Sequence, residues 1–201
     1  MIVIGLTGSI GMGKSTTAGM FRASGIPVND SDAVVHDLYR TEAVEPVGAA
    51  FPGTIRDGMI DRVELSRQLA GRPDGFRLLE TIVHPLVRQR ERLFIETQLD
   101  AAADMVVLDI PLLFETGGEN RVDVIVVVTC DAQIQRERVL GRPGMNEEKF
   151  GLILSRQMPD SEKRKRADFL VDTGNGLDAA NSRVRQIIGL LRSGIRSEKN
   201  A

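Results

Sequence analysis

Apolar residues in this chain occur in two kinds of run, and the two alternate along its length. Met1–Leu6, a short stretch near Ile26–Asn29, Met105–Asp109, Val122–Thr129 and Phe169–Val171 are apolar without strict alternation and rich in β-branched side chains. Such runs are strands buried on both faces, the condition of a parallel sheet covered by helices. Between them lie helical patterns, so the chain predicts an α/β fold of three layers around a five-stranded parallel sheet. Asp30 to Asp104 shows no strand pattern; it carries helical spacing at Leu65–Leu69 and Phe76–Leu99, with an expected interruption at His84-Pro85. A second insertion runs from about Arg138 to Lys165. It holds Gly141-Arg142-Pro143-Gly144, then a helix over Glu147–Gln157 that Asn146 caps, then Lys163-Arg164-Lys165-Arg166. The residues from about Ser193 to Ala201 are polar and expected to fray. The plan is one domain: a core of residues 1–29, 105–137 and 166–192, a helical insertion over about 30–104 and a lid over about 138–165.

Composition narrows this picture by exclusion. A chain of 201 residues suits one core with insertions better than two independent domains. A net charge of −2 supplies no basic field for nucleic acid or an anionic membrane, so neither is expected as a partner. The single Cys130 excludes an internal disulfide and a cysteine-cluster metal site; it reads as a small buried hydrophobe at a strand end. The longest uncharged apolar run, Val124–Cys130, is far too short to span a bilayer. No charged leader precedes the first apolar run, which reads as strand one, and a reducing cytoplasmic setting is expected. Nothing in the pattern calls for an obligate protein partner. Arginine outnumbers lysine 21 to 5, which suits phosphate recognition but follows equally from coding bias.

Chemistry enters at Gly8-Ser9-Ile10-Gly11-Met12-Gly13-Lys14-Ser15, a G-x-x-x-x-G-K-S phosphate-binding loop. It follows a strand pattern and opens a helix pattern, the setting the motif requires. Gly11, Met12, Gly13, Lys14, Ser15 and Thr16 are the expected nucleotide-binding residues: backbone N–H groups and the helix dipole face the phosphates of ATP. Lys14 is expected to act on the transferring phosphates and Ser15 to ligate Mg²⁺. The switch motifs D-x-x-G and N-K-x-D and the signature L-S-G-G-Q are absent from the sequence. A small kinase remains as the leading class, with a nucleotide-binding regulator as the alternative outside the enzymes.

Asp109 ends the third strand, where a carboxylate either shares Mg²⁺ with Ser15 or caps the following turn. Asn29-Asp30-Ser31-Asp32 ends the second strand. One carboxylate there can orient or deprotonate an acceptor hydroxyl, or Asp30 or Ser31 caps a helix over Ala33–Arg40 and Asp32 favours its dipole. Arg142, flanked by glycine and proline, is the expected catalytic charge that closes over ATP, and Arg136 is a second candidate. His84 reads as a buried, hydrogen-bonded structural residue, His36 as a surface residue and Lys163–Arg166 as a solvated face with a possible share in phosphate binding.

These segments together resemble the dephospho-CoA kinase family. The resemblance rests on Gly5-Leu6-Thr7-Gly8, Val28-Asn29-Asp30-Ser31-Asp32, Gly58-Met59-Ile60-Asp61-Arg62 with Leu65, and Leu79-Glu80-Thr81-Ile82-Val83-His84-Pro85. It continues through Asp109-Ile110-Pro111-Leu112-Leu113-Phe114-Glu115, Arg156-Gln157 and Ala167-Asp168. It implies a P-loop NTPase fold like that of the nucleoside-monophosphate kinases, with strand order 2-3-1-4-5, a helical CoA-binding region and a lid. It implies ATP and dephospho-CoA as substrates, Mg²⁺ as cofactor and phosphorylation of the ribose 3′-hydroxyl. It also favours Asp32 as the carboxylate that meets the acceptor. Ser9 stands where the family usually has glycine and Met12 where a small hydroxyl residue is common; both leave the loop glycines and Lys14 in place. Asp172-Thr173-Gly174 replaces a segment that often carries asparagine. Another small-metabolite or nucleoside-monophosphate kinase is the alternative among enzymes.

Overall fold

The run Ile2–Thr7 forms β1, the central strand of the sheet, and its side chains are nearly all buried. The computed structural model describes residues 1–198 of the chain; residues 199–201, the end of the segment expected to fray, lie outside the described residues. After β1 the order is α1 (Lys14–Ala23), β2 (Val28–Asp30), α2 (Ser31–Leu38), α3 (Val44–Ala50), β3 (Ile55–Arg56), β4 (Met59–Ile60), α4 (Arg62–Leu69) and α5 (Pro73–Asp100). Then follow β5 (Met105–Asp109), a 3-10 turn at Gly118–Arg121, β6 (Val124–Thr129), α6 (Ala132–Leu140), α7 (Glu147–Ser155), α8 (Asp160–Arg166), β7 (Phe169–Asp172) and α9 (Leu177–Arg192).

The main sheet has five strands in the order β2-β5-β1-β6-β7. Counting only these five, that is the 2-3-1-4-5 order implied by the resemblance, and the described pairings of β1 with β5 and β6, and of β6 with β7, are parallel. Register places Leu6 opposite Asp109 and Thr7 opposite Val127, so the loop after β1 emerges beside the carboxyl end of β5. That edge is where open α/β sheets bind ligands. Ile4, Leu6, Met105, Val107, Val126, Val128, Phe169 and Val171 pack with Phe21 of α1 and Val184, Ile187 and Leu191 of α9 into one core.

The chain divides into two compact units, residues 1–29 with the chain from Gln98 onward, and Asp30–Thr97. The second unit has its own core of Leu38, Val47, Phe51, Ile60, Leu65, Leu69 and Val83. The expected break at His84-Pro85 does not occur: α5 runs unbroken for 28 residues with Pro85 inside it. Leu79, Ile82, Val83, Leu86 and Val87 recur at helical spacing on both sides of the proline and pack on this core. Packing from both sides outweighs the roughly 3 kcal/mol that an interior proline costs. The strand-free reading of the segment is also corrected. Ile55–Arg56 pairs antiparallel with Met59–Ile60 across Asp57 (φ +51°) and Gly58 (φ +73°). A two-residue turn of type I′ needs positive φ at both positions, and Asp-Gly is among the pairs that tolerate it.

The second insertion also departs from expectation at its basic cluster. Asn146 does cap α7, accepting from the Lys149 N–H at 2.9 Å, but Lys163 is no solvated residue. Its side chain is 0 % exposed, with Nζ 2.9 Å from Glu115 Oε1. The same oxygen accepts the Met158 N–H at 2.7 Å, and Thr129 donates to Asp160 at 2.8 Å, fastening α8 to the segment after β5 and to the end of β6. Toward the carboxyl end, Arg183 pairs with Glu198, and the Glu198 N–H donates to Asp168 O at 3.1 Å, so order persists to Glu198 where fraying was expected.

Burial pushes the Glu115 carboxyl up, but Lys163 and the Met158 N–H outweigh it and hold the group below its ordinary value of 4.5. A carboxyl lowered in the folded state stabilises in full above its unfolded value, and that stability is lost as pH falls through the folded one. Lys163→Met is therefore expected to cost about 3 kcal/mol near neutral pH, because it leaves a buried carboxylate without its cation. Thermal melts of both proteins should show this margin shrinking near pH 4, where Glu115 of the variant is neutral; an equal margin at both pH values would contradict the assignment.

Candidate active site

The phosphate loop is shaped by two left-handed glycines and held from outside by side chains. Gly11 has φ +79° and Gly13 φ +92°, conformations that a Cβ disfavours. Space is also denied: a Cβ on Gly11 would stand 2.5 Å from Val139 Cγ2, and one on Gly13 3.1 Å from Thr173 Cγ2. Thr173 Oγ1 donates to Met12 O at 2.7 Å, and the Arg138 guanidinium donates to Thr173 Oγ1 and O, each at 2.8 Å. The Met12 N–H closes a turn onto Ser9 O at 3.1 Å, and its thioether accepts the Cys130 N–H. Met12 thus anchors the loop through its backbone and its buried side chain. Cys130 is buried, and burial pushes its thiol above its ordinary value, away from the reactive thiolate form.

Lys14 opens α1 and forms an ion pair with Asp109 at the end of β5; the two side chains are 13 % and 2 % exposed. The structure thereby brings together the loop lysine and the strand-end carboxylate that the sequence pattern singled out. Ser15 and Thr16 follow in the exposed first turn of α1, which carries no acidic residue to repel an anion. A cleft of about 290 Å³ lies beside them, lined by Gly11, Gly13, Thr16, Arg138, Arg142 and Thr173 among others. Arg142 is exposed on the loop between α6 and α7, while Arg136, the second candidate, is paired with Glu147 across those helices. Among the described residues no three His, Cys, Asp or Glu side chains are grouped to hold a metal. One hydroxyl, one buried carboxylate and incoming phosphate oxygens are the hard-oxygen set that suits magnesium, which keeps several waters and needs few protein ligands.

In the second unit, Asp30 and Asp32 have separate places. Asp30 caps α2, its Oδ1 accepting the N–H groups of Asp32 at 3.0 Å and Ala33 at 3.1 Å. Asp32 lies in the first turn with its side chain exposed. The expectation of a buried His84 is corrected: it lies on the exposed face of α5, because the Leu79–Val87 stripe turns other residues inward. His36 is exposed, as read from the pattern. Arg138 was not singled out from the sequence, although Thr173, its partner, follows the last strand at the ligand-binding edge.

The family model for dephospho-CoA kinase matches residues 2–179. The chain is 62% identical over 192 residues to the dephospho-CoA kinase of Rhizobium etli, covering 96% of this chain and 95% of the relative. A solved structure from Thermus thermophilus superposes with a TM-score of 0.82 at 36% identity, covering 94% of this chain and 97% of that one. The dephospho-CoA kinase structure from Campylobacter jejuni, at 23% identity, shares the fold with a TM-score of 0.73 over 96% and 98% of the two chains. With a phosphate loop whose lysine meets the strand-end aspartate and a match over nearly its full length, this chain belongs to the dephospho-CoA kinase family.

Proposed function

We propose that this chain transfers the γ-phosphoryl group of ATP to the ribose 3′-hydroxyl of dephospho-CoA, giving coenzyme A and ADP, the last step of coenzyme A biosynthesis. The observation that carries the reading is the meeting of Lys14 and Asp109 at the carboxyl edge of a parallel sheet, in a chain of this family. Backbone N–H groups of Gly11 to Thr16 and the amino end of α1 receive the phosphates of ATP, with the nucleoside beside Thr173 and Arg138. Lys14 leaves Asp109 for the β- and γ-phosphate oxygens and neutralises charge as the terminal phosphoryl group departs. Ser15 and Asp109 would hold magnesium, which would supply positive charge against the phosphates.

The acceptor oxygen forms a bond to the γ-phosphorus while the bond from that phosphorus to the β,γ-bridging oxygen breaks, leaving ADP. Asp32 accepts a hydrogen bond from the 3′-hydroxyl, aims its oxygen and takes its proton late, because the transition state is loose. Arg142, on an exposed glycine-flanked loop, closes on the transferring group and helps exclude water. ADP release measured with and without dephospho-CoA tests the reaction. Turnover that depends on this acceptor is expected; equal turnover without it would overturn the reading.

Asp32→Asn keeps shape and loses the proton acceptor, so turnover is expected to fall by roughly a hundred- to ten-thousand-fold with ATP affinity retained. Asp30→Asn preserves a competent cap and should cost at most about 1 kcal/mol of stability with near-normal turnover. Kinetics and ATP titrations of both variants check the assignment, and an inactive Asp30→Asn beside a working Asp32→Asn would reverse it. Arg142 is exposed, so Arg142→Ala should leave the melting temperature within about 2 °C while lowering kcat at least tenfold. A large melting shift with normal kcat would mark it as structural.

A further inference from the structure

Ile10, at the crown of the phosphate loop, has both of its backbone polar groups held by glutamine side chains. Its N–H donates to Gln157 Oε1 at 3.1 Å, and its carbonyl accepts from Gln135 Nε2 at 2.7 Å. Gln135 lies on α6 and is 6 % exposed; Gln157 follows Arg156, the C-cap residue of α7. The chain between them carries the loop with Arg142 and all of α7, so both ends of this flap stand on one residue of the phosphate loop. Within the flap, Arg136 of α6 pairs with Glu147 of α7. Behind its second foot, the Met158 N–H is taken by Glu115, whose other partner is the buried Lys163. The foot at Gln157 is therefore backed by a fixed element.

From this geometry we infer that Gln135 and Gln157 are positioning residues: they set the crown of the phosphate loop and tie the Arg142 flap to it. Fixing the loop before ATP arrives spares the nucleotide the cost of ordering it. The link also makes the flap's feet sensitive to the loop's shape, so phosphate binding and closure share one hinge residue. Neither glutamine needs to touch substrate. The effect passes through the Ile10 backbone, and it is specific to the nucleotide half of the reaction. The inference rests on the kinase reading above.

Gln157→Met and Gln135→Met keep side-chain length and remove the polar end. Each is to be assayed for ATP affinity by titration, for kcat, for the KM of each substrate and for melting temperature. Gln157→Met, at a half-buried surface position, is expected to fold with little change in melting temperature. Its ATP affinity should fall about three- to tenfold, the loss that one hydrogen bond carries, with kcat lowered and the dephospho-CoA KM within twofold of wild type. A purely structural glutamine would lower the melting temperature without this split between substrates. Unchanged ATP affinity in Gln157→Met, or equal weakening of both substrates, would overturn the inference, and this variant decides even if the more buried Gln135→Met fails to fold. Wild-type turnover that ignores dephospho-CoA would instead sink the kinase reading and leave the ATP titrations to judge the two glutamines.

Discussion

The backbone of the phosphate loop must keep its N–H groups turned toward a guest while its own turn stays satisfied, and the first unit is arranged around that demand. An isolated loop of this composition would sample many conformations, because glycine loses more backbone entropy on ordering than any other residue. Here the cost is offset by contacts from three directions. Thr173, itself held by Arg138, takes the Met12 carbonyl; Gln135 and Gln157 hold Ile10; the Met12 side chain is sunk beside Cys130. Each partner comes from a different part of the chain, so the loop is shaped only when α6, the flap and β7 are in place. The parallel register then determines what faces it, since Leu6 lies opposite Asp109 and the loop after β1 delivers Lys14 to that carboxylate.

Electrostatics at this edge follow the same logic. Asp109 is almost wholly buried, and a buried carboxylate is costly unless a cation attends it. Lys14 supplies that cation. In the proposed reaction a triphosphate and a divalent cation would together replace this pair, since each would take one of its members. A second buried pair, Glu115 with Lys163, has no such exchange open to it and serves as a fastening for α8.

The strands could be read from the sequence because unbroken β-branched runs mark strands covered on both faces, whereas their order came only with the family resemblance. The loop from Gly8 to Ser15 and the aspartate at the end of β5 could be read because each chemistry requires a residue type at a fixed place. Tertiary effects stayed hidden. Pro85 sits inside α5 because apolar packing on both sides of it sustains the helix, which local propensity cannot express. Lys163 looks like one of four surface cations until its burial against Glu115 is seen. Asp57-Gly58 did carry a local hairpin signal, but the strands it joins are two residues each, too short for an alternation pattern. Asp30 and Asp32 were indistinguishable by type, and the backbone N–H groups that Asp30 accepts are what give it the cap. Gln135 and Gln157 had no signal beyond Gln157's place in a family segment, because amides that hold a distant backbone follow no spacing rule.

The geometry of the phosphate loop, more than any single charged group, makes the nucleotide site. Mg·ADP titration of Gly13→Ala tests it most directly, with dephospho-CoA binding and thermal melting measured alongside. Alanine at φ +92° and 3.1 Å from Thr173 must distort the loop while removing no charged side chain. Nucleotide affinity is expected to fall about tenfold or more, in line with the roughly 1–2 kcal/mol cost of a left-handed alanine, with acceptor binding retained. Wild-type ADP affinity in that variant would contradict the claim.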